Sequence, residues 1–248
     1  GVEDALYESP SMRGFVGIDL GREPAPDETT VCKFRHLLER HELGKRIFTQ
    51  VNTYLAEHGL KIGTGTIVDA TILHAPSSTG NRSGERDPEM HQVKKGNQWY
   101  FGMKAHVGVD AGTKLIHAVA ATAANVADCR VLPELLHGEE TEVWGDQAYQ
   151  GQTEVIRQHA PRAVDRINRR WRTKFKSYPE VREENRVKSK TRSRVEHVFA
   201  LVKLKFGFVK VRYRGLAKNL NRLATTCALV NLVTARKRLL AVPAQSRA

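Results

Sequence analysis

Cysteine is scarce in this chain of 248 residues: Cys32, Cys129 and Cys227 stand far apart, with no Cys-x-x-Cys and no Cys/His spacing of a zinc site. That pattern excludes a disulfide framework and argues against structural zinc, leaving reduced thiols as in a cytosolic protein. Long apolar runs are missing too, since no stretch approaches the ~20 residues that a membrane-spanning helix requires. The opening residues GVEDALYESP lack the basic start and apolar centre of a secretory signal. Repeats and low-complexity tracts are absent, which excludes solenoid and fibrous classes.

What is present is a globular composition, 40% hydrophobic and 27% charged, with a net charge of +13. A chain of this size buries one good core with room for a small accessory domain. The basic excess is localised. Residues 1–146 hold 15 Lys and Arg against 21 Asp and Glu, whereas residues 147–248 hold 25 against 6. Such asymmetry points to a polyanionic partner, most often nucleic acid, over a merely soluble basic surface.

Periodicity divides the chain. Residues 1–62 read as a helical module, with DETTVCKFRHLLERH opening on an Asp27 cap and a second helix over about 44–58. Because EDALYES is already helical without a start signal and the first residue is Gly, the sequence predicts that a preceding piece is missing. Residues 63–248 form the second predicted domain. GTIVDATIL is a β-branched run suited to a buried strand. A polar connection over 74–98 follows, then the strands WYFGMKAHVGVD and KLIHAVAATAA, joined by a turn at Asp110 to Thr113. A short helix over 126–137, the strand TEVWGD, a helix over 153–159 and the strand RAVDRIN come next. Residues 168–194 read as an unpatterned basic connection, followed by a helix carrying Glu196 and a final amphipathic helix over about 217–239. The expected class is a mixed α/β layer with an antiparallel hairpin and parallel crossovers.

Three carboxylates stand out. Asp69 lies inside an apolar strand and Asp146 ends one, positions costly for a carboxylate unless it is paired, protonated or metal-bound. Glu196 sits beside the helical stripe Val195, Val198, Phe199, Val202 and Phe206, with Arg192 and Lys203 within roughly 40° of it around an ideal axis. Each has a plainer reading: a buried ion-pair partner for Asp69, a turn former for Asp146, and an i,i+4 pair with Arg192 for Glu196. Together, on separate core elements, they form a hard-oxygen set suited to Mg²⁺ or Mn²⁺. Two such ions about 3.5 to 4 Å apart support phosphodiester displacement, with Arg192 and Lys203 facing phosphates. His106 and His117 alternate with apolar residues and read as packed side chains. His197 points about 100° from Glu196. For Trp99, Tyr100 and Phe101, core packing is favoured over stacking on bases.

The stretches DETTVCKFRHLLE, GTIVDATILHAPSST, RDPEMHQVKKGNQWYFGMKAHVGVD, VWGDQAYQG and VKVRYRGLAKN closely resemble bacterial transposases of the insertion sequence five family. The resemblance implies a ribonuclease H-like mixed-sheet core flanked by helices, with a catalytic Asp-Asp-Glu triad carried onto Asp69, Asp146 and Glu196. It also implies Mg²⁺ or Mn²⁺ as cofactor, as two ions, and strand cleavage at element ends followed by transfer of 3′-hydroxyls into target DNA. The implied partners are the terminal inverted repeats and target DNA, bound by a homodimer, with no membrane. Arg192, Arg194, Lys203 and Lys205 are the expected DNA contacts. The family signature Tyr-x2-Arg-x3-Glu-x6-Lys falls on Arg192, Glu196 and Lys203, and departs at its first position, where this chain has Ser189. Two other readings compete: a truncated, regulatory DNA-binding product without catalysis, and a nuclease of the same fold without strand transfer.

Overall fold

The computed structural model describes residues 1–60, 62–170 and 178–241. The chain forms two compact units, Gly1–Leu43 and Gly44–Ala248. The first consists of helices α1 (Val2–Glu8), α2 (Pro10–Val16) and α3 (Glu28–Arg40). Local chemistry sets their ends: Ser9 Oγ accepts from the Met12 amide at 3.3 Å, and Asp27 Oδ1 accepts from the Thr30 amide at 2.6 Å. Helix α3 buries none of its residues, so the apolar stripe Val31, Phe34 and Leu37 is exposed.

The second unit begins with α4 (Leu43–Glu57), whose sequence reads as part of the N-terminal module but whose Phe48 and Val51 pack in the core of the sheet. The sheet is mixed. Strand β1 (Gly65–His74) runs antiparallel to β3 (Gln98–Asp110) in the register Asp69 opposite Val107, and parallel to β5 (Glu142–Trp144) from Gly65 to Ile67. Strand β6 (Val164–Asp165) pairs parallel with β5. Strands β4 (Ile116–Ala123) and β2 (His91–Lys95) both pair antiparallel with β3. At Gly102 the backbones of β1 and β3 come so close that a Cβ would stand 2.1 Å from the Leu73 carbonyl oxygen, so only glycine fits.

The two-residue period of β1 divides the core. Ile67 joins one cluster with Val107, with Val195 and Val198 of α8 (Arg194–Ala200), and with Leu223 and Cys227 of α9 (Leu216–Ala241). Val68 joins the other with Leu132 and Leu135 of α5 (Leu132–Leu135), Tyr149, and Ile156 of α6 (Thr153–His159). Helices thus cover both faces. The fully buried Asn231 of α9 acts as a surrogate strand for β4: its Oδ1 accepts from the Ile116 amide at 2.8 Å and its Nδ2 donates to the Ile116 carbonyl at 2.7 Å. The same Nδ2 reaches Asn52 Oδ1 of α4 at 2.7 Å, tying α4, α9 and the sheet together.

Two expectations are corrected. The basic stretch taken as an unpatterned connection over 168–194 contains the helix α7 (Tyr178–Arg192), while its residues 171–177 lie outside the described ones. Helix α7 buries only Val181, so it has no apolar stripe to signal it; i,i+3 pairs such as Glu183 to Arg186 at 2.7 Å support it instead. The polar connection over 74–98 contains β2, whose side chains are mostly exposed and which forms by pairing with the start of β3.

His106 and His117 are packed, as their alternation predicts. The hydrogen-bond chain around His117 sets which nitrogen of the neutral ring carries its proton. Thr66 Oγ1 donates to Glu140 Oε1 at 3.2 Å and so accepts from His117 Nε2 at 3.2 Å, leaving Nδ1 buried without a donor proton or a partner among the described residues. Burial, then the neighbouring His137, push the His117 ring down to about 4 from its ordinary 6.5. The folded state therefore binds fewer protons than the unfolded one below pH 6.5, and stability is present above 6.5 and lost as pH falls toward 4. With about 1.4 kcal/mol per unit, discounted for partial exposure, the loss is about 2 kcal/mol. Urea denaturation at pH 7 and pH 4.5 is expected to show a smaller acid loss for His117→Gln than for the wild type; equal losses would remove His117 from the acid response.

Candidate active site

Strand β5 leaves β1 after Ile67, so Asp69 lies on a stretch of that edge which is next bridged only at His74, by Lys210, and the chain turns away at Gly145 and Asp146. Asp69 therefore stands in the middle of β1, just past the stretch paired with β5, and Asp146 just beyond the carboxyl end of β5, near where open α/β sheets place their ligands. Asp146 caps a short 3-10 turn, Gln147–Tyr149, with its Oδ1 accepting from the Ala148 amide at 2.8 Å. Helix α8 presses Val195 and Val198 into the core and leaves Glu196 at the rim, its side chain 66% exposed. All three carboxylates line one cleft of about 540 Å³.

The plainer readings of these residues hold. Arg192, at the end of α7, reaches Asp69 Oδ2 through Nη1 at 3.1 Å and Glu196 Oε1 through Nη2 at 3.6 Å. One guanidinium thus bridges two of the three carboxylates. Asp69 is 14% exposed and also accepts from the Ala70 amide at 2.8 Å. Its carboxyl is nonetheless pushed up to about 6. Burial is the largest cause; the Ala70 amide and Arg192 oppose it, while Asp146 and Asp128 raise it further. Burial, more than the charges around it, is thus what makes the Asp69 carboxylate costly in this cleft, whose lining sets Asp69, Asp128, Asp146 and Glu196 against Lys94, Lys95, Lys104 and Arg192.

Other expected contacts are placed differently. Arg194 donates to the Ala111 carbonyl at the β3–β4 turn. Lys203 lies in a π-helical turn, Leu201–Lys205, which breaks the ideal helical count that aligned it with Glu196. Burial, then Lys95, hold the Lys203 ammonium below its ordinary range, so Lys203 stands near β2. Lys205 is exposed on the same turn. Ser189, at the position of the family tyrosine, accepts from Asn168 Nδ2 at 3.0 Å. His197 lines a separate hollow with Leu60, Leu115 and Lys237, which carries no carboxylate.

Sequence reasoning missed three residues of the cleft region. Asp128, on the 3-10 segment Asp128–Val131, pairs with Lys104 Nζ at 2.7 Å, and Lys104 also donates to the Val126 carbonyl at 2.8 Å. Both line the cleft. Lys104 was open to the argument that singled out Asp69, being a charge inside an apolar strand. The third is Tyr149, a fully buried phenol whose hydroxyl has no hydrogen-bond partner among the described residues. Burial first, then Asp128, Asp69 and Asp146, push its ionisation well above the ordinary value, so it remains a proton donor close to the carboxylates.

The donor chemistry fits a hard divalent cation: several carboxylates line one cleft, with an unpartnered hydroxyl nearby. Among the described residues no three acidic, His or Cys side chains are already grouped tightly enough to hold a metal ion. Arg192 explains that spacing, because its guanidinium bridges Asp69 and Glu196. No helix of the described residues is long and apolar enough to cross a membrane.

Among solved structures, the cryo-EM structure of a piggyBac transposase synaptic complex with hairpin DNA is similar at a TM-score of 0.47 and 11% identity. The similarity covers 88% of this chain, which spans only 56% of that one. The profile described as "Transposase DDE domain" matches residues 61–232, a stretch that contains Asp69, Asp146 and Glu196. That match takes in well over half of the sequence, and the chain belongs to the transposase DDE domain family.

Proposed function

We propose that this protein is a DNA transposase of the insertion sequence five type, built on a ribonuclease H-like core, that cuts at element ends and joins the freed 3′-hydroxyls to target DNA. The observation that carries this reading is that Asp69 from the middle of β1, Asp146 from the end of β5 and Glu196 from α8 line one cleft, walled by Lys94, Lys95 and Arg192. When bound, a pair of Mg²⁺ or Mn²⁺ ions supplies Lewis-acid stabilisation of the attacking and leaving oxygens. Asp69, Asp146 and Glu196 are the residues that would hold them. In the first step water attacks phosphorus at the element boundary, and the bond to the 3′-oxygen breaks to leave a 3′-hydroxyl. In the second that hydroxyl attacks a target phosphodiester, and one bond is exchanged for another without a covalent protein intermediate. Arg192, once turned from the carboxylates, and Lys203 would neutralise strand phosphates. A dimer on two DNA ends follows from the need to join them, in a nucleoid-associated, cytoplasmic setting.

The direct test is strand cleavage of a DNA carrying an element end, with Mg²⁺, beside Glu196→Gln. Cleavage at the boundary, lost in the variant, is the expected result. Binding without cleavage by the wild type would favour a regulatory DNA-binding protein, and cleavage without joining a nuclease.

A further inference from the structure

The hairpin of β2 and the start of β3 forms a wall of the cleft that holds the three carboxylates, through Val93, Lys94 and Lys95. Its strands are joined by Gly96 and Asn97 alone, with Gly96 at φ 62°, as tight two-residue connections require. Lys94 stands opposite Trp99 in the register. Directly opposed residues of an antiparallel pair project from the same face, so the Trp99 indole lies beside the Lys94 side chain. Trp99 is 63% exposed, whereas Phe101, two residues on, packs against the core. Core packing, the expectation from sequence, therefore describes Phe101 and not Trp99.

The cations on this wall lack anions. Among the described residues none of Lys94, Lys95 and Lys203 pairs with a carboxylate. Lys95 is close enough to Lys203 to disfavour its charge. Like charges gathered at a cleft edge are relieved by an arriving polyanion. The exposed indole beside Lys94 offers a flat apolar surface, which every nucleobase matches once its face is free. In a duplex those faces are covered by neighbouring base pairs.

We propose that this hairpin holds a DNA strand whose bases are unpaired near the point of cleavage, with Lys94, Lys95 and Lys203 on its phosphates and Trp99 stacked on an unpaired base. The proposal rests on the transposase reading and adds to it the form of DNA that the cleft receives. Stacking carries no hydrogen-bond code, so the contact recognises an open strand in any sequence.

Fluorescence anisotropy in EDTA, with one DNA as a full duplex and the same DNA with a short unpaired fork at its end, tests this without chemistry. Trp99→Ala is expected to weaken binding of the forked DNA about tenfold to a hundredfold and of the duplex by less than about twofold. Trp99→Phe, which keeps an aromatic face, should retain most of the forked-DNA affinity. The double variant Lys94→Ala with Lys95→Ala should weaken both and reduce the slope of log Kd against log salt by about 1.5 to 2. Equal loss on both DNAs, or none on either, in Trp99→Ala overturns the stacking role. If the wild type binds and cleaves DNA while Trp99→Ala is silent, only this proposal falls; if the wild type binds neither DNA, the transposase reading falls with it.

Discussion

Asp146→Asn is expected to lower Mg²⁺-dependent strand cleavage by at least about a thousandfold, equivalent to roughly 4 kcal/mol of transition-state stabilisation. The substitution preserves shape: an asparagine Oδ1 still accepts from the Ala148 amide, so the turn Gln147–Tyr149 is kept. What is lost is one of the negative charges at the cleft. Because Asp146 is among the groups that raise the Asp69 carboxyl, its neutralisation relieves repulsion and should leave thermal stability unchanged or slightly higher. DNA affinity and its salt slope should change by less than about threefold, since the phosphate-facing cations remain. Single-turnover cleavage with Mg²⁺, and binding with EDTA across a salt series, separate the two effects. Equal cleavage by variant and wild type would remove Asp146 from the metal set.

How much of this site was legible depended on where each side chain finds its partner. Asp69 and Glu196 could be singled out because each interrupts or borders an apolar pattern that the fold preserves, a continuous run buried on both faces in β1 and a helical stripe in α8. Asp146 was legible as the end of a buried strand, although only Glu142–Trp144 is strand and the carboxylate follows it. The bridge from Arg192 to Asp69 was not, since the two lie 123 residues apart and local spacing offers Arg192 only Glu196. Helix α7 and strand β2 escaped for one physical reason: both are held by charge pairs or ladder hydrogen bonds and bury almost no side chains, so hydrophobic periodicity carries no trace of them. Helix α4 was recognised as a helix but placed with the wrong partner, because an amphipathic stripe shows that a face is buried and not what buries it. The ideal 100° count also failed at Lys203, where a π-turn shifts the phase.

Arg192→Ala is expected to make folding depend on a divalent cation. In the wild type the guanidinium neutralises Asp69 at 3.1 Å, and both side chains are largely buried, at 23% and 14% exposure. Removing one partner of such a pair leaves an uncompensated carboxylate, here close to Asp146 and Asp128, with a cost of about 3 kcal/mol. A cation held by Asp69 and Glu196 would occupy the role that Arg192 vacates, and it binds the folded state alone. At about a hundred times its Kd such a ligand returns about 2.7 kcal/mol. In urea titrations the variant should therefore be markedly less stable than the wild type in EDTA and recover most of the difference in Mg²⁺, while the wild type gains less, because there the cation must first displace the guanidinium. Arg192→Lys should fall between the two, keeping a charge but losing the fork that spans both carboxylates. A Mg²⁺ increment of the same size in wild type and Arg192→Ala would mean that cation and guanidinium do not share the carboxylates. In that case Asp69 and Glu196 would be joined by Arg192 as a permanent structural bridge, and the metal set would have to be sought around Asp146 and Asp128.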